Sequence, residues 1–505
     1  MQTLLGIDIG TSACKAALFD EDGRVLAAKS QAYPVNYPGP GMVEQDPEEW
    51  YRAVCRAVKA LFEDGRHRPG DVAGVGIDGQ SWSAIPVDAS GKVLRDTPIW
   101  MDTRAQKLCG RINARMGEEL FKVSGNPLQP AYTLPKILWY RENEPQVYEK
   151  TDKILQSNSF IAFRLTGAIT QDLSQGYGLQ CFDMEKGSWD QGILAELGLP
   201  AHLLPEIVPC HRIVGRVTAR AARETGLCEG TPVAAGGLDA ACGTLGAGVI
   251  SPGQTQEQGG QAGGMSICMD RPVADERLIL GMHVVPGRWL LQGGSVGGGG
   301  ALKWFEEQLG AFEREAARQN GSTSFEELSR EAGEIPPGSE GVLFLPYMAG
   351  ERSPIWNPDA KGVFFGLDYN KTRAHMARAV MEGVGYSLRH NLETARQAGA
   401  SFHKLHAMGG AANSLTWTQL KSDLTGLPIA VPASDTATTL GAAILAGVGV
   451  GLYQGFEQAV QKTVSITREH APNGENRAVY DRGFERYLGL YERLKDFMIQ
   501  GEGPL

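Results

Sequence analysis

The chain has 505 residues, of which 42% are hydrophobic and 21% are charged, and its net charge is −10. This length allows two or more domains, and the composition is typical of a globular protein in water. The acidic residues are dispersed along the chain, which argues against a surface that binds nucleic acid or an anionic membrane.

The cysteines and the apolar runs predict a cytoplasmic protein. None of the eight cysteines forms a CxxC pair or has zinc-ligand spacing, so we expect free thiols in a reducing compartment. Strand-like residues begin at once without a basic leader, which predicts no signal peptide. The longest apolar stretch, 440–452, is too short to cross a bilayer and is rich in Gly and Ala. We therefore expect it to form a tightly packed internal helix.

The chain opens with predicted strands over 3–9, 14–20 and 24–31, joined by hairpin turns. The first strand ends on an acid, and a turn of small residues follows it: Asp8, then Gly10, Thr11 and Ser12. The backbone N–H groups of such a turn can bind phosphate oxygens, and a carboxylate can hold a metal ion beside them. The alternative is an ordinary hairpin with a solvated acid.

A helix and a further strand complete the opening pattern. Asp46 is a predicted helix N-cap, Pro47 occupies the first helical position, and Glu49 completes a capping box. The strand over 72–77 then leads into the polar segment 78–82. Three hairpin strands, a helix and another strand are typical of a ribonuclease-H-like, actin-type α/β domain.

A second passage of the same kind begins near residue 230. It has a strand, the acid Asp239 after a glycine pair, a helix of small residues over 240–248, and a strand pair around 259–264. We expect a fold of class α/β with two ribonuclease-H-like domains that face each other across a cleft. The predicted division is an amino-terminal domain at 1–247, a carboxyl-terminal domain at 248–455 and a helical tail at 456–505, because Ser251-Pro252-Gly253 breaks the pattern.

Two familiar motifs are discounted. Residues 74–79 match GxGxxG, but no long helix begins at the third glycine, as a dinucleotide site requires. Residues 293–297 match GxSxG, so Ser295 could be the nucleophile of a hydrolase. That hypothesis leaves both glycine-rich acidic turns unexplained, and a glycine-rich turn packed close to a ligand is the preferred interpretation.

Four segments together indicate a nucleotide and its phosphates. They are the turn after Asp8, the strand end before Asp239, the glycine-rich turn at 259–264, and the segment 409–414 that opens a helix. The last segment is free of large side chains and suits a flat adenine or ribose, to which Asn413 can hydrogen-bond. Each segment alone is weak evidence for a nucleotide site, but the order and spacing of the four segments are much stronger evidence.

At these segments the chain resembles the FGGY carbohydrate kinases, and within that family the xylulokinase-like branch. The resemblance runs from residue 3 to about 455 and is carried by GIDIGTSACKAALFDEDG, GGLDAACGTLGAG, GVLFLPYMAGERSPIWNPDAKGVFFGL and GGAANSLTWTQLKSDLTGLPI. It implies two ribonuclease-H-like domains, with a sugar and ATP bound in the cleft between them.

The resemblance also implies roles for single residues. Asp239 matches the general base that acts on the sugar hydroxyl, and Asp8 matches the acid near Mg²⁺ and the β- and γ-phosphates. The implied nucleotide-binding residues are Gly10, Thr11, Ser12, Gly260, Gln261, Gly298, Gly409, Gly410 and Asn413. The implied sugar-binding residues are Gln80, Ser81, Trp82, Asp102 and Asp239 itself. Trp82 could equally be a core residue. Arg104 could contact the sugar or pair with Asp102, and the pairing is slightly favoured.

The chain departs from the family pattern on both sides of the cleft. Gln261-Ala262 stands where the second phosphate loop usually has Gly-Thr-Ser or Gly-Thr-Gly. Ser81-Trp82 replaces Met-His, and Ala240 replaces a frequent Asn after the base. The resemblance therefore predicts a kinase that phosphorylates D-xylulose or another ketose, polyol or sugar acid, such as ribulose, glycerol, erythritol or gluconate. It also suggests a homodimer, and a non-catalytic ATP-binding protein of the same fold is a remote alternative.

Overall fold

The computed structural model describes residues 2–433 and 436–499. Up to residue 246 its strands are β1 (Thr3–Ile9), β2 (Ala13–Phe19), β3 (Val25–Ala32), β4 (Asn36–Gly39), β5 (Met42–Gln45), β6 (Val72–Gly79), β7 (Ile85–Val87), β8 (Thr97–Pro98), β9 (Lys153–Leu155), β10 (Thr170–Asp172), β11 (Phe182–Asp183), β12 (Ser188–Trp189), β13 (Glu206–Val208), β14 (Ile213–Arg216), β15 (Pro232–Ala234) and β16 (Gly237–Leu238). The later strands are β17 (Gln254–Gly259), β18 (Gly263–Met269), β19 (Ile279–Met282), β20 (Trp289–Ser295), β21 (Leu343–Leu345), β22 (Val363–Phe365), β23 (Lys404–Met408), β24 (Ile429–Pro432) and β25 (Ile466–His470).

The α-helices alternate with these strands. They are α1 (Pro47–Ala60), α2 (Gln106–Ser124), α3 (Thr133–Asn143), α4 (Pro145–Tyr148), α5 (Ser157–Thr166), α6 (Leu173–Gly176), α7 (Gln191–Leu197), α8 (Ala219–Thr225), α9 (Asp239–Gly246), α10 (Gly299–Leu309), α11 (Ala311–Asn320), α12 (Ser324–Glu334), α13 (Arg373–Gln397), α14 (Leu415–Thr425), α15 (Ala437–Gly449), α16 (Phe456–Thr463) and α17 (Arg477–Met498).

The described residues contain two large sheets with the same arrangement of strands. The first has the order β14-β15-β6-β1-β2-β3, with β16 also paired to β6. The second has the order β19-β20-β18-β17-β23-β24-β25. In each sheet an antiparallel hairpin (β1–β2 or β17–β18) has a parallel neighbour (β6 or β23). The predicted repetition of the opening pattern is therefore confirmed.

The side chains of β1 divide between two layers because they alternate across the sheet. Leu5, Ile7 and Ile9 pack in one core with Trp50 of α1. The opposite face of the strand carries Gly6 and then Asp8. Helix α15 covers this second face, and a Cβ on Gly6 would collide with its backbone. The glycine thus allows the helix to lie close against the sheet below the acid.

Helix α15 belongs to the predicted second domain but packs on the first sheet. Gly76 of β6 approaches Ala442 of α15, and Gly441 of α15 approaches Cys242 of α9, so closely that no Cβ fits at either glycine. The apolar run at 440–452 therefore forms the internal helix that its small residues predict. The helix also connects the two halves of the chain, which the predicted division at 247 treats as separate.

The amino-terminal helix corrects one detail of the prediction. Helix α1 begins at Pro47, and the Asp46 side chain accepts a hydrogen bond from Glu48 N at 2.9 Å, as an N-cap does. The expected return bond from Glu49 does not form, because its carboxylate binds Arg52 and Arg56, each at 2.6 Å. The N-cap is confirmed, and the capping box is wrong. Two charged partners outcompete one backbone N–H.

No helix in the described ranges 2–433 and 436–499 is both long and apolar enough to cross a membrane.

Candidate active site

Three acidic residues follow one another across adjacent strand ends of the first sheet. Asp8 of β1 is the direct partner of Asp78 of β6, and Gly237 of β16 pairs with Asp78 from the other side. Asp239 follows two residues after Gly237 and therefore lies on the same side of the sheet. Because all three strands are parallel, their carboxyl ends meet at one edge, where Asp78 contacts Asp8 and lies near enough to Asp239 for their charges to interact.

Little positive charge lies near the three acids at this edge. Asp78 is fully buried and Asp8 is 6% exposed. The nearest cation is the exposed Lys15, whose Nζ lies 3.9 Å from Asp8 Oδ2. Burial raises the pKa of Asp78 well above its ordinary value, and the neighbouring Asp8 and Asp239 raise it further. Burial also raises the pKa of Asp8, against the opposing effect of Lys15. The edge is therefore suited to a ligand that brings positive charge.

Asp239 has a fixed position and a raised pKa. Leu238 N donates to Ser174 Oγ at 2.8 Å, which fixes the strand end directly before the acid. Ala240 N donates to Asp239 Oδ1 at 2.7 Å. Burial, and secondly the charge of Asp8, raise the pKa of Asp239 to about 7. A carboxylate with a pKa near the working pH is an efficient general base.

The first turn, residues 10–12, presents backbone donors. Tyr33 Oη donates to the carbonyl of Gly10, Gln45 Nε2 donates to that of Thr11 at 2.8 Å, and Tyr33 N donates to that of Ser12 at 3.2 Å. The N–H groups of Thr11 and Ser12 donate to no acceptor in the described part of the chain. Since the carbonyls accept hydrogen bonds within the chain and the N–H groups are free, the turn is a site for an anion.

The second turn, residues 260–262, repeats this arrangement in the other sheet. The carbonyls of Gly260 and Gln261 accept hydrogen bonds from the first residues of α10, at 2.7 and 3.0 Å. The backbone N–H groups of the turn have no acceptor among the residues described. A Cβ on Gly298 would collide with the backbone of Ala262. Gly298 therefore lets α10 approach and support the turn.

The segment 409–413 lies directly beside the second turn. Gly409 has φ of +84°, and a Cβ there would lie 2.9 Å from Gly259 C. Both facts favour glycine at this position. Nothing lies within 4 Å of the position that a Cβ on Gly410 would take, and Asn413 is exposed. Ser414 then caps α14 by accepting from Trp417 N at 3.0 Å. The result is an open surface without large side chains next to the second turn.

The predicted sugar side surrounds the end of β6. Gln80 is buried, and its Nε2 donates to Gln45 Oε1 at 2.8 Å, while its Oε1 has no partner in the described chain. Ser81 and Trp82 are half-buried. Trp82 has φ of +64°, and its ring meets Tyr132 edge-to-face at 4.6 Å between centroids. Such backbone strain in a non-glycine residue is typical of functional sites.

Asp102 has a supporting position in this region. It is fully buried, and its oxygens accept hydrogen bonds from Val43 N at 2.7 Å and from Arg104 at 2.8 and 2.9 Å. The pairing of Asp102 with Arg104 agrees with expectation. The neighbouring Trp100 donates from Nε1 to Thr11 Oγ1 at 2.9 Å. Asp102 thus fixes a segment that orients the first turn.

The two discounted motifs have structural roles. The GxGxxG residues 74–79 lie inside β6. Ser295 Oγ donates to the buried Glu351 at 2.7 Å and accepts from Ser387 at 3.0 Å, and no histidine contacts it within 2–433 and 436–499. A serine without a histidine base is not the activated nucleophile of a hydrolase.

The two halves of the site lie on the two large sheets. Helix α9 connects them, because Thr244 Oγ1 donates to Gln256 of β17 at 2.8 Å. Where the chain is described, no hydrogen bond or ion pair joins the turn 10–12 to the turn 260–262 or to the segment 409–413. Among the described residues, no group of three or more His, Cys, Asp or Glu is arranged so that it could hold a metal ion. Mg²⁺ needs no such group, since it is commonly held by one or two carboxylates with water and phosphate oxygens.

Asp78 is the main feature of the site that sequence reasoning missed. In the sequence it is only the end of a strand within the discounted GxGxxG match. The signal that could have identified it is the repetition of Ile-Asp at 7–8 and 77–78, each followed by a glycine within two residues. Tyr33 and Gln45, which hold the first turn, carry no comparable local signal.

Comparison with known proteins agrees with this geometry. The family model for the FGGY carbohydrate kinase N-terminal domain matches residues 3–246, and the model for the C-terminal domain matches residues 269–450. The chain is 31% identical over 501 residues to a xylulose kinase of Bacillus subtilis, with 98% of each chain covered. It is 30% identical over 500 residues to a gluconokinase of the same organism, covering 98% of this chain and 97% of the relative.

Solved structures give the same result. The crystal structure of a xylulose kinase from Rhodospirillum rubrum superposes with a TM-score of 0.88 at 28% identity, covering 99% of this chain and 100% of the other. The two large sheets are thus the two domains of the actin-like ATPase fold. The chain belongs to the FGGY family of carbohydrate kinases and is a sugar kinase.

Proposed function

We propose that the enzyme transfers the γ-phosphoryl group of ATP to D-xylulose and forms D-xylulose 5-phosphate and ADP. The observation that carries the proposal is the position of Asp239 at a strand end beside Asp8, with its pKa raised to about 7. The similarity to xylulose kinases over nearly the whole chain supports this choice of sugar.

The proposed reaction needs one proton acceptor and accurate positioning. The Asp239 carboxylate accepts the proton of a sugar hydroxyl, and the hydroxyl oxygen forms a bond to the γ-phosphorus. The bond between this phosphorus and the β,γ-bridging oxygen breaks, and ADP leaves. The free N–H groups of Thr11 and Ser12, together with those of the second turn, stabilise the negative charge on the transferred group.

The proposed nucleotide site extends from the first turn across the second turn to the open surface at 409–413. Gly409 and Gly410 leave room for the adenosine, and Asn413 offers an amide to it. Gln261, at the exposed tip of the second turn, offers an amide where a hydroxyl is usual. Gly298 supports that turn from behind.

The carboxylates at the sheet edge fit a magnesium ion. Asp8 would hold Mg²⁺, because carboxylate oxygen is a preferred ligand of this ion and the edge has little other positive charge. When bound with ATP, the ion neutralises charge on the β- and γ-phosphates. All other parts of the proposal depend on side chains and backbone groups of this chain.

The acceptor is proposed to lie between Asp239 and the sugar-side segment. Gln80, Ser81 and Trp82 would contact it, with the Trp82 ring against the C–H face of the sugar. Asp102 is bonded to Arg104 and has no free oxygen for the sugar, so it holds this segment in place instead. Gluconate is the second candidate acceptor, because a gluconokinase is 30% identical to the chain over 500 residues.

A panel of acceptors tests the proposal. ADP release is measured with D-xylulose, ribulose, glycerol, erythritol and gluconate, each with the wild-type enzyme and with Asp239→Asn. The proposal predicts the highest kcat/KM for D-xylulose and loss of that activity in the variant. A higher kcat/KM for gluconate would make gluconate the acceptor at the same site. Full activity of the variant would exclude Asp239 as the proton acceptor.

A cytoplasmic location and a homodimer remain predictions from the sequence. Size-exclusion chromatography with light scattering measures the second, and a monomer mass would contradict it.

A further inference from the structure

Within the described chain, Asp78 has no partner other than the acid Asp8. Its side chain is fully buried, and neither carboxylate oxygen accepts a hydrogen bond from any described residue. The buried Asp172 is satisfied by contrast, since it accepts from Asn158, Ser174 and Gln175. An unpartnered buried carboxylate costs free energy, so it is retained where a ligand or a function compensates for it.

The register of the sheet aims this carboxylate at Asp8. The two residues are direct partners in neighbouring parallel strands, so their side chains leave the sheet on the same side. The two carboxyl groups contact each other. Two carboxyl groups in contact are both charged only when a cation lies between or beside them, and Lys15 offers only an exposed ammonium group 3.9 Å from Asp8.

We propose that Asp78 is a second carboxylate of the magnesium site and holds, together with Asp8, the divalent cation that accompanies the nucleotide. This inference rests on the proposed function for the location of the nucleotide, but it does not depend on which sugar is phosphorylated. Two carboxylates, phosphate oxygens and water form the kind of oxygen ligand set that Mg²⁺ takes in phosphoryl-transfer enzymes.

The position explains why an acid is tolerated at the centre of the first sheet. Asp78 lies between Asp8 and the strand that leads to Asp239, so an ion at Asp78 is adjacent to both. The cation would lower the repulsion among the three acids when the nucleotide binds. The consequence is that nucleotide affinity depends more strongly on Mg²⁺ with Asp78 present than without it.

The test is the dissociation constant of ADP, measured by calorimetry with saturating Mg²⁺ and again with EDTA. The wild-type enzyme and Asp78→Asn are compared, and Asp20→Asn is the matched control. Asp20 is buried at the far end of β2, where its Oδ1 accepts from Asp22 N and Arg24 N, bonds that an Asn can also accept. Direct Mn²⁺ binding, followed by electron paramagnetic resonance with ADP present, is the second readout.

We expect Asp78→Asn to reduce the Mg²⁺-dependent gain in ADP affinity, and the affinity for Mn²⁺, by about tenfold or more. Its ADP affinity in EDTA should not fall below that of the wild type, which shows that the variant is folded. If Asp78→Asn does not fold, Asp78→Ser is measured in the same way. Unchanged Mg²⁺ dependence and unchanged Mn²⁺ affinity, or a wild-type enzyme whose ADP affinity ignores Mg²⁺, would overturn the inference. These readouts use no sugar, so a wrong choice of sugar does not affect them.

Discussion

The two large sheets share a topology and differ in the charge at their equivalent edges. In the first sheet the paired residues before the turn are Asp8 and Asp78, whereas in the second sheet they are Gln258 and Met408. The second sheet does contain an acid one residue earlier, Glu257. Its carboxylate is bound by the buried Lys421 at 2.6 Å.

This contrast separates two tasks within one repeated architecture. Both hairpins present free backbone N–H groups, which suits phosphate on either side of the cleft. The first edge adds acids that can bind a cation and accept a proton, while the second edge is neutral and open. The common topology therefore supplies the phosphate turns, and a few substitutions at the strand ends assign the chemistry to the first half.

Removing the proton acceptor should break the chemistry of the first edge and leave the second edge intact. Asp239→Asn should lower kcat by about 10²- to 10⁴-fold, because a general base contributes that much to a rate. ADP affinity, measured by calorimetry, should stay near the wild-type value. A variant that kept its kcat, or one that lost ADP binding equally, would contradict the separation of tasks.

Removing the Lys421 ammonium group, which neutralises Glu257 at the second edge, should destabilise the fold. Lys421→Met leaves the Glu257 carboxylate buried without a partner, and we expect a loss of about 3–5 kcal/mol in the free energy of unfolding. Urea unfolding measures it. The double variant Lys421→Met with Glu257→Gln is the control and should recover most of the loss. If the single variant is as stable as the wild type, Glu257 does not depend on Lys421.

The pH dependence of activity should report on the first edge. Because burial and Asp8 raise the pKa of Asp239 to about 7, its carboxylate is protonated below that pH and cannot accept a proton. The value of kcat/KM should therefore fall about tenfold for each pH unit below this pKa and level off above it. The residual activity of Asp239→Asn should lack this dependence. A wild-type profile that stays flat to pH 5 would exclude Asp239 as the base.

Much of the first edge could be predicted from sequence because its signals are local. The hairpin at 3–20 and the N-cap at Asp46 each depend on residues a few positions apart. Asp78 could not be assigned to the site in this way, because it meets Asp8 only through the pairing of strands 70 residues apart. The packing of α15 on the first sheet is equally non-local. It depends on glycines in β1, β6 and α9 that are distant from one another in the sequence.

Neutralising the middle acid should have the smallest effect and should stabilise the protein without ligand. The folded-state pKa of Asp78 lies above its unfolded value, so its contribution to stability is lost as the pH rises through the folded pKa. Asp78→Asn should therefore raise the unfolding free energy at pH 8, because the amide carries no charge that burial penalises. The gain should shrink towards pH 4.

Thermal unfolding without nucleotide or metal measures this difference, with Asp20→Asn as the control. A lower melting temperature for Asp78→Asn at pH 8 would show that the carboxylate has a stabilising partner in the folded chain.

The central claim is that the terminal phosphate of a nucleotide lies between the turns 10–12 and 260–262, next to Asp239. A crystal structure with a non-hydrolysable ATP analogue and Mg²⁺ tests it most directly. We expect the γ-phosphate within hydrogen-bond distance of backbone N–H groups of both turns, and the adenosine on the surface at 409–413. A nucleotide bound away from both turns would contradict it.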